Sequence, residues 1–421
     1  MSWVPEPFRI PAFRAYWLAR LTTTIGQIAM VIVIGWQVYG IARQTMGIKA
    51  ASFQLGLIGL IQFLPLFALT LPAGWVADRL DRRYIGRAAV ALEALCAALL
   101  AWLTWRGAVT LPWLFLVAAL LGVASAFAMP AMQALAPNLV PRKILPRAIA
   151  LSSISWQVGA IVGPALGGYL YALAPHMTYT VATGLFAFSC LCLFMIGPAP
   201  HSTIDRNRHP WKQMVDGLHY VRKNRLVLGA ISLDLFAVLL GGATAMLPVY
   251  ARDVLHVGST GLGHLRAAPA VGATLAAAWF SFRPLKHEVG VKMLIAVAIF
   301  GAATVVFGWS HSMPLSLFSL ALLGAADMLS VYVRQSLIQL HTPDEMRGRV
   351  GSVSSLFISA SNQLGEAESG FVAAVIGPVA QVVSGGFAAI AVVVAWAWLF
   401  PELRRAKDFN VSPQPATESM G

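Results

Sequence analysis

Charge is scarce in this chain. Only 11 % of its 421 residues are Asp, Glu, Lys or Arg, against about 25 % in soluble globular domains, while 58 % are hydrophobic and the mean hydropathy is +0.71. A polar complement that small excludes a soluble enzyme or a disordered binder. Cysteine is scarcer still: Cys96, Cys190 and Cys192 all fall in apolar stretches, which excludes a disulfide framework or a cysteine-rich metal site. The chain has no Gly-Lys dipeptide, hence no Walker A loop to hold nucleotide phosphates. Its histidines lie outside the mid-membrane and share no ligand spacing, so neither a metal nor a cofactor is expected, nor an enzyme. Met1 to Pro11 lacks the charged and then apolar pattern of a cleaved signal peptide. Acid is rarer than base, giving a net charge of +13, but the cations are dispersed over short loops and form no nucleic-acid patch.

What the chain has is long apolar runs, each near the roughly 20 residues that a spanning helix requires. Hydropathy and turn punctuation predict twelve helices, at 14–42, 53–78, 86–106, 111–136, 147–173, 178–197, 226–252, 261–283, 291–310, 314–340, 350–376 and 379–400. Of the 30 lysines and arginines, 23 fall at the two ends or in the 2–3, 4–5, 6–7, 8–9 and 10–11 loops; only Arg43, Lys49, Arg106 and Arg252 fall in the alternate loops. The positive-inside rule makes both termini cytoplasmic in a multi-pass inner (plasma) membrane protein, with the lipid bilayer as its solvent.

The longest connection, 198–225, is rich in proline, histidine and base, with a short surface helix expected at Trp211 to Tyr220. It separates two six-helix bundles, 1–197 and 226–400, and a tail follows at 401–421. Shifting the chain by 202 residues aligns Ala119–Gly168 with Ala321–Gly370 without a gap, with 14 of 50 positions identical. Gly122 falls on Gly324, Pro141 on Pro343, Arg147 on Arg349, Gly163 on Gly365 and Gly168 on Gly370, so spans 4–5 read as a duplicate of spans 10–11. Two parallel six-helix repeats around a central site are a plan used by secondary transporters.

Two motifs carry chemistry. The 2–3 loop reads G-W-V-A-D-R-L-D-R-R, with Gly74, Asp78, Arg79, Asp81, Arg82 and Arg83. Its carboxylates and forked guanidinium donors suit a latch between helix ends. Span 5 carries G-A-I-V-G-P-A-L-G-G, in which Gly159, Gly163, Gly167 and Gly168 remove side-chain bulk from one face and Pro164 favours a kink. On these residues the chain resembles the major facilitator superfamily over nearly its whole length. The 2–3 loop is similar to that superfamily's G-x-x-x-D-R-x-x-R-R signature and span 5 to the G-x-x-x-G-P-x-x-G-G signature of its exporters. Phe13-Arg14, Trp17 to Arg20, Gly26 and the L-P-V-Y-A-R-D stretch resemble the branch of enterobactin and macrolide-type exporters. The 8–9 loop, R-P-L-K-H-E-V-G, departs from the pattern. The resemblance implies an all-α membrane protein of twelve helices in two pseudo-symmetric bundles, with spans 4 and 10 lining a central cavity.

Ionisable residues within spans are functional candidates by default. They are Arg20, Glu93, Asp234, Arg266, Asp327, Arg334, Glu366 and Glu368, six of the eight in the second half. At about 1.5 Å per residue, Asp234 and Arg334 both lie roughly 12 Å from the cytoplasmic side, and Arg266 shares a depth with Glu366 and Glu368 near the other. These are the expected charge pairs. Asp327, nearest the midplane with no partner at its depth, is the expected proton carrier, with Glu366 next. The expected function is a monomeric, proton-coupled exporter of amphipathic small molecules of drug or siderophore type, gated by the 2–3 loop and span 5. A lipid flippase and a non-transporting membrane sensor or scaffold are the alternatives.

Overall fold

The computed structural model describes residues 5–197, 210–283, 285 and 287–406; part of the 6–7 linker and most of the tail lie outside the described residues. All regular structure among these is helical. A 3-10 turn at Glu6–Arg9 leads into α1 (Pro11–Thr45), α2 (Ile48–Arg79), α3 (Arg82–Trp105), α4 (Leu111–Leu139), α5 (Leu145–Leu173) and α6 (Met177–Phe194). Then come α7 (Pro210–Lys223), α8 (Arg225–Leu240), α9 (Leu247–Val249), α10 (Gly258–Phe282), α11 (Val289–Trp309), α12 (Met313–His341), α13 (Asp344–Ile376), α14 (Pro378–Leu399) and α15 (Pro401–Arg404).

Local chemistry sets several of these ends. Asp81 caps α3, its carboxylate accepting from the Arg83 amide at 3.0 Å, and Asn224 caps α8 by accepting from the Val227 amide at 3.2 Å. The expected seventh span, 226–252, is not one helix. It stops at Leu240, passes Gly241-Gly242 into a 3-10 turn (Ala243–Met246), and resumes through α9 as a π-helical turn at Tyr250–Val254. The glycine pair releases the backbone and Pro248 cannot donate to the turn before it, so hydropathy was continuous where helix was not. The surface helix runs longer than expected and is tied to α13, with Arg349 bonding Asp216 at 3.1 Å.

Among the described residues, ten helical segments are long and apolar enough to cross a membrane. The other two long helices, α10 and α13, carry Arg266, Glu366 and Glu368 and are not among these ten. In the first bundle α1 packs on α5 and α6, α3 on α4 and α6, and α2 on α4. The second repeats this: α8 packs on α13 and α14, α11 on α12 and α14, and α10 on α12. The repeated glycines explain the match. Gly122 lets α4 meet the backbone of α2 at Gln62, and Gly324 brings α12 onto the backbone of α10 at Pro269.

Two crossings, α2 with α13 and α5 with α10, join the bundles. Both are backbone contacts. Gly56 lies against Gly370, and Gly263 against Pro164 and Gly168. A methyl group added at Gly56 would come within 2.9 Å of the Ala367 carbonyl oxygen, so nothing larger than glycine fits. These contacts belong to the face opposite the termini. Towards the termini the bundles part: a methyl group at Gly74 of α2 or at Gly348 or Gly351 of α13 would meet nothing within 4 Å.

The span-5 glycines divide between two neighbours. Gly159, Gly163 and Gly167 face Thr24, Ile28 and Ala29 of α1 within the first bundle, whereas Gly168 and the Pro164 carbonyl meet α10 across the boundary, where Gln157 also donates to the Ala270 carbonyl at 2.9 Å and Tyr169 bonds His264 at 2.9 Å. Gly163→Leu should therefore overpack one bundle, costing about 1–3 kcal/mol and lowering the melting temperature. Gly168→Leu should melt at a temperature near wild type but expose a cysteine engineered at Ser52, which is fully buried at the α2–α13 crossing, to labelling. Equal melting losses in both variants would contradict this division.

Candidate functional site

The charged residues of the second bundle converge. Asp234 on α8 and Arg334 on α12 form an ion pair whose side chains are 7 % and 3 % exposed, so neither is solvated. Asp327 stands at the midpoint of α12 and lines the same small cavity as Asp234 and Ser330, walled by Val297 and Phe300 of α11. Reading the depth of Asp327 from α12 alone left it isolated. The packing of α8 against α12 brings the Asp234–Arg334 pair alongside, which one helix's register cannot reveal.

Nearer the sealed face, Arg266 on α10 pairs with Glu366 on α13 at 3.7 Å and donates to the Thr244 carbonyl at 3.3 Å, in the 3-10 turn after α8. Glu366 lies where α13 meets Gly59 of α2, so this pair borders the boundary between bundles. Glu368 points elsewhere, as two residues of a helix must, and one of its carboxylate oxygens is buried without a hydrogen bond. In the first bundle Arg20 donates to the Tyr16 hydroxyl at 2.9 Å, and that hydroxyl donates to the Met132 carbonyl of α4 at 3.1 Å. Glu93 is fully buried on α3.

The 2–3 loop acts first within its own bundle. Arg83 bonds Asp81 at 3.0 Å and the Ile196 carbonyl at 3.1 Å, while Arg87 donates to the Leu193 carbonyl at 2.8 Å. Both guanidinium groups thus cap the C-terminal end of α6, where the helix dipole is negative. The side chain of Asp78 lies outside the described residues, and Gly74 stands on the open side of α2.

Sequence reasoning missed the polar seal on the closed face. Asp253, in the π-helical turn, accepts from the Tyr39 hydroxyl and from Arg43 Nε at 3.3 Å, both on α1. Arg252 lies over the Trp36 ring at 5.7 Å, and Lys49 donates to the Val375 carbonyl at 2.7 Å. Arg43, Lys49 and Arg252 had served only as topology markers. The L-P-V-Y-A-R-D stretch was the available signal, since an acid two residues beyond an apolar run demands a partner.

A paired interior, two bundles joined at one face and a parting at the other describe a carrier, and the comparisons agree. The family model described as Major Facilitator Superfamily matches residues 16–365. The chain belongs to the Major Facilitator Superfamily. Among curated relatives, the enterobactin exporter EntS of Escherichia coli O1:K1 is 25 % identical over 417 residues, covering 97 % of this chain and 96 % of that protein. Its counterpart in Citrobacter koseri is 26 % identical over 406 residues, covering 94 % of each. The fold matches a bacterial homologue of the human lysosomal transporter Spinster (TM-score 0.72, 16 % identity, 98 % of this chain and 100 % of that one). It also matches the xylose transporter XylE from E. coli (TM-score 0.67, 14 % identity, 94 % and 96 % coverage). As a member of this superfamily the protein is a multi-pass inner-membrane transporter of small molecules.

For such a transporter the buried pair should be costly to break from either side. Asp234→Asn or Arg334→Gln alone leaves an uncompensated charge and should cost about 3–5 kcal/mol of stability, whereas the double variant should lose much less than the sum. Additive losses in thermal unfolding would show that the two residues act separately. Independently, Asp253→Asn should raise labelling of a cysteine at the buried position Ser52 by weakening the seal; unchanged labelling would leave the seal to the other contacts across the boundary.

Proposed function

We propose that this protein is a proton-coupled exporter of amphipathic small molecules that works by alternating access. The observation that carries this reading is the asymmetry of the boundary: glycines touch backbone to backbone at one face, and the corresponding helices separate at the other. With the termini cytoplasmic, as the arginine and lysine distribution favours, that arrangement is open inward and shut outward. On this reading α10 and α13 complete twelve spans, with bundles at 1–197 and 226–400 and the linker and tail in the cytoplasm. Export of a small amphipathic molecule accords with the enterobactin exporters among the relatives.

Asp327 is the proposed proton carrier, with Glu366 as the next candidate. It sits at mid-helix beside a charge pair that is already satisfied, so taking up a proton changes the net charge of the cluster without breaking that pair. Substrate and proton then favour opposite orientations of the carrier, which is sufficient for exchange. Asp78, Arg79 and Arg82 stand on the face that must close when the cavity turns outward, and their proposed role is to latch that state.

Accumulation of substrate in everted vesicles, with and without a protonophore, tests the reading. Wild type should concentrate substrate in a protonophore-sensitive way. Asp327→Asn should lose that accumulation at least tenfold yet keep downhill exchange. Continued uphill transport by the variant would move coupling to another residue, and wild-type accumulation indifferent to the protonophore would refute proton coupling.

A further inference from the structure

Arg20 is a cation inside the first bundle whose charge the fold does not answer. It stands about 14 Å along α1 from Pro11 and is half-buried. Its guanidinium donates to the Tyr16 hydroxyl at 2.9 Å, and no carboxylate among the described residues pairs with it. Tyr16 is fully buried and donates in turn to the Met132 carbonyl of α4 at 3.1 Å. The cation is thus anchored between α1 and α4, with most of the N–H donors of its fork unspent. Two turns further along the same face of α1, Gln27 donates to the Ser125 hydroxyl of α4 at 3.2 Å. The repeat sharpens the contrast, because Ser125 and Met132 stand where the second bundle has Asp327 and Arg334, beside Asp234 on α8. With all groups ionised, the α8–α12 seam carries two acids and one base, while the α1–α4 seam carries Arg20 alone. Glu93, the acid inside the first bundle, is buried on α3 with one carboxylate oxygen unbonded and answers none of this charge. An ionised arginine within a span is costly unless water or an anion solvates it, and a cavity open to the cytoplasm supplies only the water.

We infer that Arg20 recognises an anionic group on the transported molecule, which makes the cargo an amphipathic acid. A planar guanidinium with unspent donors takes a carboxylate or sulfonate in a forked, two-bond geometry, and one bound anion cancels the surplus charge of the seam. Tyr16 holds the cation in the seam without neutralising it. Gln27 and Ser125, about 10 Å further along, are neutral and suit hydroxyl or carbonyl groups on the body of the same molecule. The surplus acid of the α8–α12 seam repels the anionic end, so that end is directed to the first bundle. The inference rests on the transport function proposed above and names its class of cargo, but its test is a binding measurement that needs neither transport nor a proton gradient.

The full-length protein in nanodiscs of zwitterionic phosphatidylcholine is titrated with fluorescein, an anionic xanthene dye, and with rhodamine 123, a cationic dye on a closely similar ring system. Binding is read by fluorescence anisotropy. Fluorescein should bind saturably, and rhodamine 123 about tenfold more weakly or worse. Arg20→Gln should weaken fluorescein binding about tenfold, whereas Arg20→Lys, which keeps the charge and so guards against a folding defect, should stay within about threefold of wild type. Equal affinity for the two dyes, or no saturable binding of fluorescein, would overturn the inference. Fluorescein binding that survives Arg20→Gln would overturn it as well, because the anion would then bind elsewhere. Equal losses in Arg20→Gln and Arg20→Lys would show that the charge is not what is recognised. Accumulation in vesicles that ignores a protonophore would refute proton coupling and leave this site standing, so the two readings fail separately.

Discussion

Contact between glycine backbones across the boundary is the constraint on which the rest of this structure depends. In lipid the hydrophobic effect does not press one helix on another, so two bundles adhere where backbones can approach and pack and where polar groups bond across the boundary. Each of α5 and α13 does this twice with residues at repeated positions. Gly163 and Gly365 seat the helix on the first helix of its own bundle, α1 or α8; Gly168 and Gly370 seat it on the other bundle, at α10 or α2. The interval of five residues between them turns the helix enough to serve two neighbours. One pair of glycines thereby builds a bundle, and the other lets two bundles meet and separate.

The electrostatics follow from that division. Most intramembrane charge is in the second bundle, and there it is neutralised locally: Arg334 with Asp234, Arg266 with Glu366. Asp327 is the acid beside a pair already complete. The Arg266–Glu366 pair borders the α2–α13 crossing, so its environment changes whenever the bundles move, whereas the Asp234–Arg334 pair is enclosed between α8 and α12 of one bundle. Charges at the boundary and charges within a bundle are therefore under different constraints even at similar cost of burial.

Much of this was legible in the sequence because lipid imposes one-dimensional rules. A span must be apolar and about as long as the bilayer is thick, loops carry their topology in lysine and arginine, and a duplicated pattern of Gly, Pro and Arg survives as an alignment with itself. Ten apolar helices and the repeated packing of the two halves answer to those rules. Span 7 escaped them, since hydropathy does not register that Gly241, Gly242 and Pro248 interrupt the hydrogen-bond ladder inside an apolar run. The span-5 glycines were read as one face, although spacings of four and five residues already point to two directions.

The sequence by itself determined which segments are long and apolar enough for a membrane and that one half repeats the pattern of the other, because each depends on composition along the chain. Helical rise also placed Asp234 level with Arg334. Only the tertiary structure decided which neighbours lie across each helix: that Gly163 faces α1 while Gly168 faces α10, that Asp253 reaches Tyr39 and Arg43, and that Asp327 lies beside a completed ion pair. Depth can be counted along one helix, but azimuth is set by the packing of several, and chemistry at a membrane site depends on both.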